Sequence, residues 1–372
     1  MTNISEIDIP QISINNMKKL ITGISTDITT AGTQALMLWG SPGIGKSDLV
    51  RQLAQDLDRI FVDVRLSTID PVDLRGLPMI NVEEQLTNWL PPSFLPNVQS
   101  EPGILFLDEI NAAPPMLQAS AYQLILDRKL GEYQIPEDWL VIAAGNKLSD
   151  RSVTHRMPSA LSNRFSHFEI IVSKEEWFQW AWQNNIDPFI ISFLRFHPQL
   201  LFDFNPQNNK LAFPTPRSWS FASVYSSIRD ENPDLYFKGV QSCVGYSATK
   251  QLMAFSKNKD MLIDPEIILS GKDYSLPNDP GVHYVMMGAL IQSLLSNLSS
   301  DRITNYFEYA NSFENTSFSD YGVVIVKELI NALMNDNPLA NNENGMTILQ
   351  KNSSYKSWLN KHSKLLMEIN SQ

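Results

Sequence analysis

Residues 40–47 read Gly-Ser-Pro-Gly-Ile-Gly-Lys-Ser, glycines spaced ahead of a lysine and a hydroxyl. Glycine at Gly40, Gly43 and Gly45 lets the backbone curl until successive N–H groups converge, and a polyanion is what such a concavity holds. Lys46 can reach the β- and γ-phosphates of a nucleoside triphosphate, and the Ser47 hydroxyl can ligate magnesium. Gly40, Ser41, Pro42, Gly43, Ile44, Gly45, Lys46 and Ser47 are therefore the candidate nucleotide-binding residues. The bland alternative is a glycine turn that only joins two elements. The flanks decide between the readings: Ala35-Leu-Met-Leu-Trp39 is too short for a helix and suits a buried parallel strand. After the loop, Leu49, Val50, Leu53, Ala54 and Leu57 recur at helical spacing, so a helix beginning near Lys46 adds its positive dipole end to the site.

A second constellation lies in Gly103-Ile-Leu-Phe-Leu-Asp-Glu109. Apolar residues bury a central strand, and two carboxylates emerge at its C-terminal end, where open α/β sheets hold their ligands. Asp108 can hold magnesium, and Glu109 is then placed to polarise an attacking water. Alone, Asp-Glu after a strand is equally an ordinary helix cap. Leu140-Val-Ile-Ala-Ala-Gly-Asn146 reads as another buried strand ending in an amide; Asn146 either bonds the water or γ-phosphate or is a turn residue. Phosphoryl transfer also calls for permanent, multidentate positive charge. Arg164, in Leu-Ser-Asn-Arg-Phe165, and Arg217, in Pro-Thr-Pro-Arg-Ser-Trp219, are the candidates, with Arg156 competing for the role of Arg164.

The elements needed to position these groups follow the pattern of an α/β domain. From about residue 15 to 172, apolar runs alternate with helical patterns, giving candidate strands at Ala35–Trp39, Ile60–Leu66, Ile104–Asp108, Leu140–Ala144 and Phe168–Val172. From Lys174 to about Leu269 the pattern turns helical and aromatic, with Trp177, Phe178, Trp180, Trp182, Phe189, Phe193 and Phe196. Arg195 is the one basic residue between Trp177 and Phe196, so the run reads as the core of a helical domain rather than a base-stacking platform. Gly271–Gly281 reads as a linker, His283–Leu298 as a further helix and Asn335–Gly345 as an Asn-rich loop. Lys351, Lys356, Lys361 and Lys364 read as the solvated face of a terminal helix. The expected division is 1–172, 173–270 and 271–372.

The chain has 372 residues, 43% hydrophobic and 19% charged, enough for more than one buried core. Its formal net charge of −11 argues against nonspecific binding along nucleic acid. The single cysteine, Cys243, excludes an intramolecular disulfide and a four-cysteine zinc site. The first residues lack a basic region ahead of an apolar core, and the Val285–Leu295 run is broken by Gln292 and Ser293. The expectation is a cytoplasmic protein with no membrane span.

The order of these segments resembles that of the AAA+ ATPases. Within them the chain is similar to the MoxR-like branch through Leu-Asp-Glu-Ile-Asn-Ala-Ala-Pro114, Gln123-Leu-Ile-Leu-Asp-Arg-Lys-Leu-Gly131 and His155-Arg-Met-Pro-Ser-Ala-Leu-Ser-Asn-Arg-Phe165. Asp70-Pro-Val-Asp-Leu-Arg-Gly-Leu-Pro78 and Trp89-Leu-Pro-Pro-Ser-Phe94 match as well, so the likeness covers about residues 15–220. Ser41-Pro42 departs from the commoner Pro-Pro.

The resemblance implies an AAA+ P-loop core with a five-stranded parallel sheet, a helical lid and a helical C-terminal extension. It implies ATP and magnesium as ligands and a ring, usually of six protomers, with ATP bound between neighbours. Asn146 would be the first sensor, Arg217 the second, and Arg164 the finger that reaches the next subunit's γ-phosphate. Pro71–Pro92 would carry a hairpin insertion and Arg128–Asp138 a second hairpin, both facing the pore or the partner. Branch members commonly act with a separate protein carrying a von Willebrand factor A domain, remodelling a client or helping insert a metal cofactor. The expected function is thus ATP-driven remodelling; the alternative is a nucleic-acid-acting AAA+ motor or loader, which DNA-stimulated turnover would reveal.

Overall fold

In a computed structural model of the chain, the described residues are 9–25, 35–83, 85–96, 101–150, 157, 162–208, 210–314, 316–334 and 345–370. The Asn-rich stretch at 335–344 and the competing Arg156 lie outside them. The chain forms two compact units, Met1–Ser173 with Phe204–Asn209, and Lys174–Asp203 with Lys210–Gln372.

In the first unit the order is β1 (Gln11–Ile12), α1 (Ile14–Ser25), β2 (Ala35–Trp39), α2 (Lys46–Asp56), β3 (Ile60–Arg65), α3 (Pro71–Arg75), β4 (Leu77–Asn81), β5 (Leu86–Leu90), β6 (Gly103–Asp108), α4 (Pro115–Leu126), β7 (Lys129–Leu130), β8 (Tyr133–Gln134), β9 (Leu140–Gly145) and β10 (Phe165–Ile170). One parallel sheet of six strands runs β1-β10-β2-β9-β6-β3. The expected sheet had five strands; the sixth, β1, is only two residues long and shows no periodicity to read. The last strand also begins at Phe165 rather than Phe168, because Ser166 and His167 interrupt the apolar run that marks the others.

The central strands β6 and β9 are buried along their whole length, as near-continuous apolar strands covered on both faces must be. On one face Leu105, Leu107, Val141 and Ala143 pack with Leu117, Ala121 and Leu124 of α4. Alternate residues point the other way, toward the side where α2 buries Leu49, Val50, Leu53 and Ala54. Each leucine or valine among them contributes about 1.5–3 kcal/mol by leaving water. The consequence for the site is rigidity: β2, β6 and β9 end side by side at one edge of the sheet.

Two antiparallel hairpins leave this frame where the resemblance implies them. β4 pairs β5 from Leu77↔Leu90 to Asn81↔Leu86, and β7 pairs β8. At the root of the first hairpin Gly76 has φ +84°, and a Cβ there would sit 2.0 Å from the Leu90 carbonyl oxygen. Leu77, Met79, Ile80, Val82, Leu86 and Leu90 of this ribbon are exposed.

The second unit is helical among its described residues: α5 (Lys174–Gln183), α6 (Pro188–Phe196), α7 (Pro216–Ser223), α8 (Pro233–Val244), α9 (Tyr246–Ser256), α10 (Pro265–Leu269), α11 (Pro280–Ser296), α12 (Ser300–Asn311), α13 (Ser319–Leu333), α14 (Gly345–Lys351) and α15 (Ser353–Asn370). Asp187, Thr215, Asn232, Asp264 and Asp279 each cap a helix by accepting from a first-turn N–H, and each is followed by proline. Proline has no N–H to leave orphaned and its φ suits a helix start. The aromatic run forms core as expected, with Trp177, Phe178, Trp182, Phe189 and Phe193 buried. Within it Arg195 bonds Glu175 at 2.7 Å and pairs with the fully buried Glu328, while its guanidinium lies 3.7 Å over the Phe178 ring. Trp182 Nε1 donates to Glu328 at 2.5 Å, so the buried charges are hydrogen-bonded as well as paired. Burial would raise the Glu175 carboxyl, but hydrogen bonds from Arg195 and Lys327 overcome it and hold the group at about 2. No helix among the described residues is long and apolar enough to cross a membrane.

Candidate functional site

The loop after β2 owes its shape to two left-handed glycines, Gly43 at φ +77° and Gly45 at φ +97°. Lys46 opens α2 and is buried, which a charge tolerates only with partners. Its Nζ donates to Gly40 O at 2.7 Å, Ser41 O at 3.0 Å and Asn146 Oδ1 at 3.2 Å. These acceptors tie the ammonium group to the loop and to the end of β9. Ser41 Oγ also donates to Asp150 Oδ1 at 3.4 Å.

Next to it, Ser47 Oγ donates to Asp108 Oδ2 at 2.8 Å. Asp108 is the last residue of β6, and its other oxygen accepts the N–H of Glu109 at 2.9 Å. Glu109 itself takes φ +56°, an uncommon conformation for a residue with a Cβ, which turns the chain out of the sheet directly after the carboxylate pair. The Ser67 hydroxyl donates to Glu109 Oε2. Asp63, on β3, has its pKa raised by burial first and by the field of Asp108 second, with Arg65 and Arg51 opposing.

A hydroxyl and a carboxylate in mutual contact form a hard-oxygen donor set. Magnesium takes such a set, because it binds through one or two protein oxygens and completes its shell with phosphates and water. Ser47 and Asp108 fit that requirement.

Asn146 follows β9 and is held from two directions: its side chain accepts from Lys46, and its backbone is bonded to the Asn111 amide. Lys46, Ser47, Asp108, Glu109 and Asn146 therefore stand together at the carboxyl edge of the sheet. Arg164 does not. It is exposed and directly precedes β10, whose first residue Phe165 is level with Ala35, the first residue of β2. Four residues of strand, about 13 Å, separate that level from Trp39 and the loop. The segment before Arg164 is tied to the sheet through His167. Trp39 Nε1 donates to His167 Nδ1 at 2.9 Å, which leaves the ring proton on Nε2 to meet Ser162 O at 2.7 Å. Arg217 belongs to the second unit, exposed in the first turn of α7 behind a Thr215–Ser218 capping box.

Sequence reasoning missed Ser67, Asn111 and Asp150, whose contacts complete the site. Asn111 lies inside the Leu-Asp-Glu-Ile-Asn stretch, but nothing in that stretch tells which backbone its amide meets.

Residues 35–165 match the model of the AAA domain, dynein-related subfamily. The match runs from the first residue of β2 to the first of β10 and includes the loop, both carboxylates, Asn146 and Arg164. Residues 35–165 of the first unit accordingly have the fold of an AAA+ P-loop core, with its parallel sheet. No curated protein matches the chain. Among solved structures, a candidate ATPase from Cytophaga hutchinsonii overlaps it at 16% identity, with 84% of this chain and 88% of that one covered and a TM-score of 0.32. The Thermotoga maritima RuvB Holliday junction branch migration motor overlaps at 12% identity, with 85% and 82% covered and a TM-score of 0.33. Neither overlap bears on function.

Proposed function

We propose that this chain hydrolyses ATP as a MoxR-like AAA+ ATPase, working as a closed ring that remodels a partner protein complex together with a protein carrying a von Willebrand factor A domain. The observation that carries the reading is a divided catalytic set. Lys46, Ser47, Asp108, Glu109 and Asn146 converge at one end of the sheet, while Arg164 stands exposed at the other.

In this reading the loop N–H groups and Lys46 bind the β- and γ-phosphates of ATP. Ser47 and Asp108 would hold magnesium, which supplies positive charge to the phosphate oxygens when bound. Glu109 accepts the proton of the attacking water as its oxygen bonds the γ-phosphorus and the bond to the β–γ bridging oxygen breaks, that oxygen leaving with ADP, and Asn146 orients the water. A guanidinium is still required for the charge that spreads over the transferred group, and such a donor accelerates turnover by about 10³–10⁵. Arg164 is too far along the strand to serve its own loop, so a neighbouring protomer receives it. A ring of six, the von Willebrand factor A partner and Arg217 as second sensor rest on the family resemblance.

The test is steady-state ATP turnover with magnesium for the natural chain and Glu109→Gln. The variant should keep nucleotide binding and lose at least about a hundredfold in kcat. Equal turnover in Glu109→Gln would remove the general base and the reading with it.

A further inference from the structure

We propose that Asn111 is a positioning residue for hydrolysis, its side-chain amide standing in for a missing strand and fixing where Asn146 meets Lys46. The proposal rests on the reading of the site as an ATP hydrolase.

Strands β6 and β9 stay in register to Leu107↔Ala143. At Glu109 the left-handed turn takes the chain out of the sheet, and one more backbone bond follows, from Ile110 N–H to Ala144 O at 3.1 Å. Beyond that point the end of β9 needs a donor and an acceptor that a neighbouring peptide would normally provide. The Asn111 carboxamide supplies both. Its Oδ1 accepts from Asn146 N–H at 3.2 Å, and its Nδ2 donates to Asn146 O at 2.7 Å. A primary amide presents the same donor and acceptor pair as a peptide, which an ionised aspartate, an acceptor only, does not reproduce.

Two further facts show that the space is shaped for this group. Asn111 is 3% exposed, so its amide is removed from water and satisfied by these bonds. Gly145, the residue before Asn146, has no room for a side chain: a Cβ would lie 2.6 Å from Asn111 Oδ1 and 2.8 Å from Met37 Cε. On the other side of β9, Gly40 N–H reaches Gly145 O at 3.3 Å. The end of β9 is therefore gripped between the phosphate loop and Asn111, and Asn146 Oδ1 is delivered to Lys46 Nζ at 3.2 Å. Asp108, Glu109 and Asn111 lie on one short turn, so any movement of the Glu109 turn is passed to Asn146 through the amide.

The experiment compares kcat, KM, nucleotide affinity and melting temperature for the natural chain, Asn111→Ala, Asn146→Ala and the double variant. Asn111→Ala should lose about tenfold or more in kcat, as a displaced catalytic group does, with nucleotide affinity kept within about threefold. The double variant should lose no more than the worse single, because Asn111 acts through Asn146. Asn111→Asp, which keeps the size but not the donor, and Gly145→Ala, which pushes on the same oxygen, should each lower kcat in the same sense. If Asn111→Ala does not fold, Asn111→Asp takes its place in the cycle. Losses that multiply in the double variant would overturn the proposal, as would full kcat in Asn111→Ala. The two readings fail differently: a natural chain that does not turn over ATP ends the hydrolase reading, whereas a natural chain that does, beside an unimpaired Asn111→Ala, ends this one alone.

Discussion

Ser67 donates its hydroxyl to Glu109 Oε2, so the carboxylate assigned as the base is engaged by a neighbouring strand end. A carboxylate that accepts a hydrogen bond is drawn toward its donor and away from an attacking water. Ser67→Ala should therefore raise basal ATP turnover. Loss of one such bond, about 1 kcal/mol, corresponds to roughly fivefold in kcat. Steady-state kinetics with nucleotide affinity measured alongside would check it; a fall in kcat would mean that Ser67 orients the base rather than restrains it.

Arg164 and the phosphate loop lie at opposite ends of β10 and β2. Arg164→Ala and Lys46→Ala protomers should each be inactive alone. Mixed, they should recover part of the natural activity, because a site with an intact loop can receive an intact guanidinium from its neighbour. Recovery should follow the mixing ratio and peak near equal amounts. No recovery at any ratio would place the missing positive charge elsewhere.

His283 is 1% exposed and packs edge-on to Phe313, with ring centroids 4.9 Å apart, and against Phe318 and Tyr321. Burial lowers its pKa below the ordinary 6.5. The unfolded chain then binds more protons than the folded one below about 6.5, so stability is full above that value and declines as the pH falls toward the lowered one. The slope for one proton is at most about 1.4 kcal/mol per pH unit. Melting temperatures at pH 7.5 and 5.5 should show a smaller acid loss in His283→Phe than in the natural chain. An unchanged pH difference would assign the sensitivity to other groups.

The frame of the site was legible because β2, β6 and β9 are short, unbroken apolar runs that end in the loop, Asp108 and Gly145-Asn146. A fully buried strand has no polar alternation to disguise it. β10 was misplaced by three residues since Ser166 and His167 look like loop, yet His167 is inside the strand to bond Trp39 and Ser162. β1 carries too few residues to show a period, and only its pairing with Glu169 and Ile170 makes it a strand. The contacts of Ser67 and Asn111 were hidden for another reason. Serine and asparagine occur in every kind of loop, and nothing in their spacing tells which distant backbone or carboxylate they meet. In the second unit, a capping residue followed by proline marks several helix starts in the sequence itself.

The separation of Arg164 from the loop along the sheet has an arithmetic consequence if the guanidinium serves a neighbour. Each protomer then brings one socket and one plug, facing opposite ways. A pair of protomers has a single finished site, and any open row has one fewer than its members. Only closure makes the numbers equal, so activity per chain would climb in steps with assembly, and dilution would silence the enzyme before it unfolds.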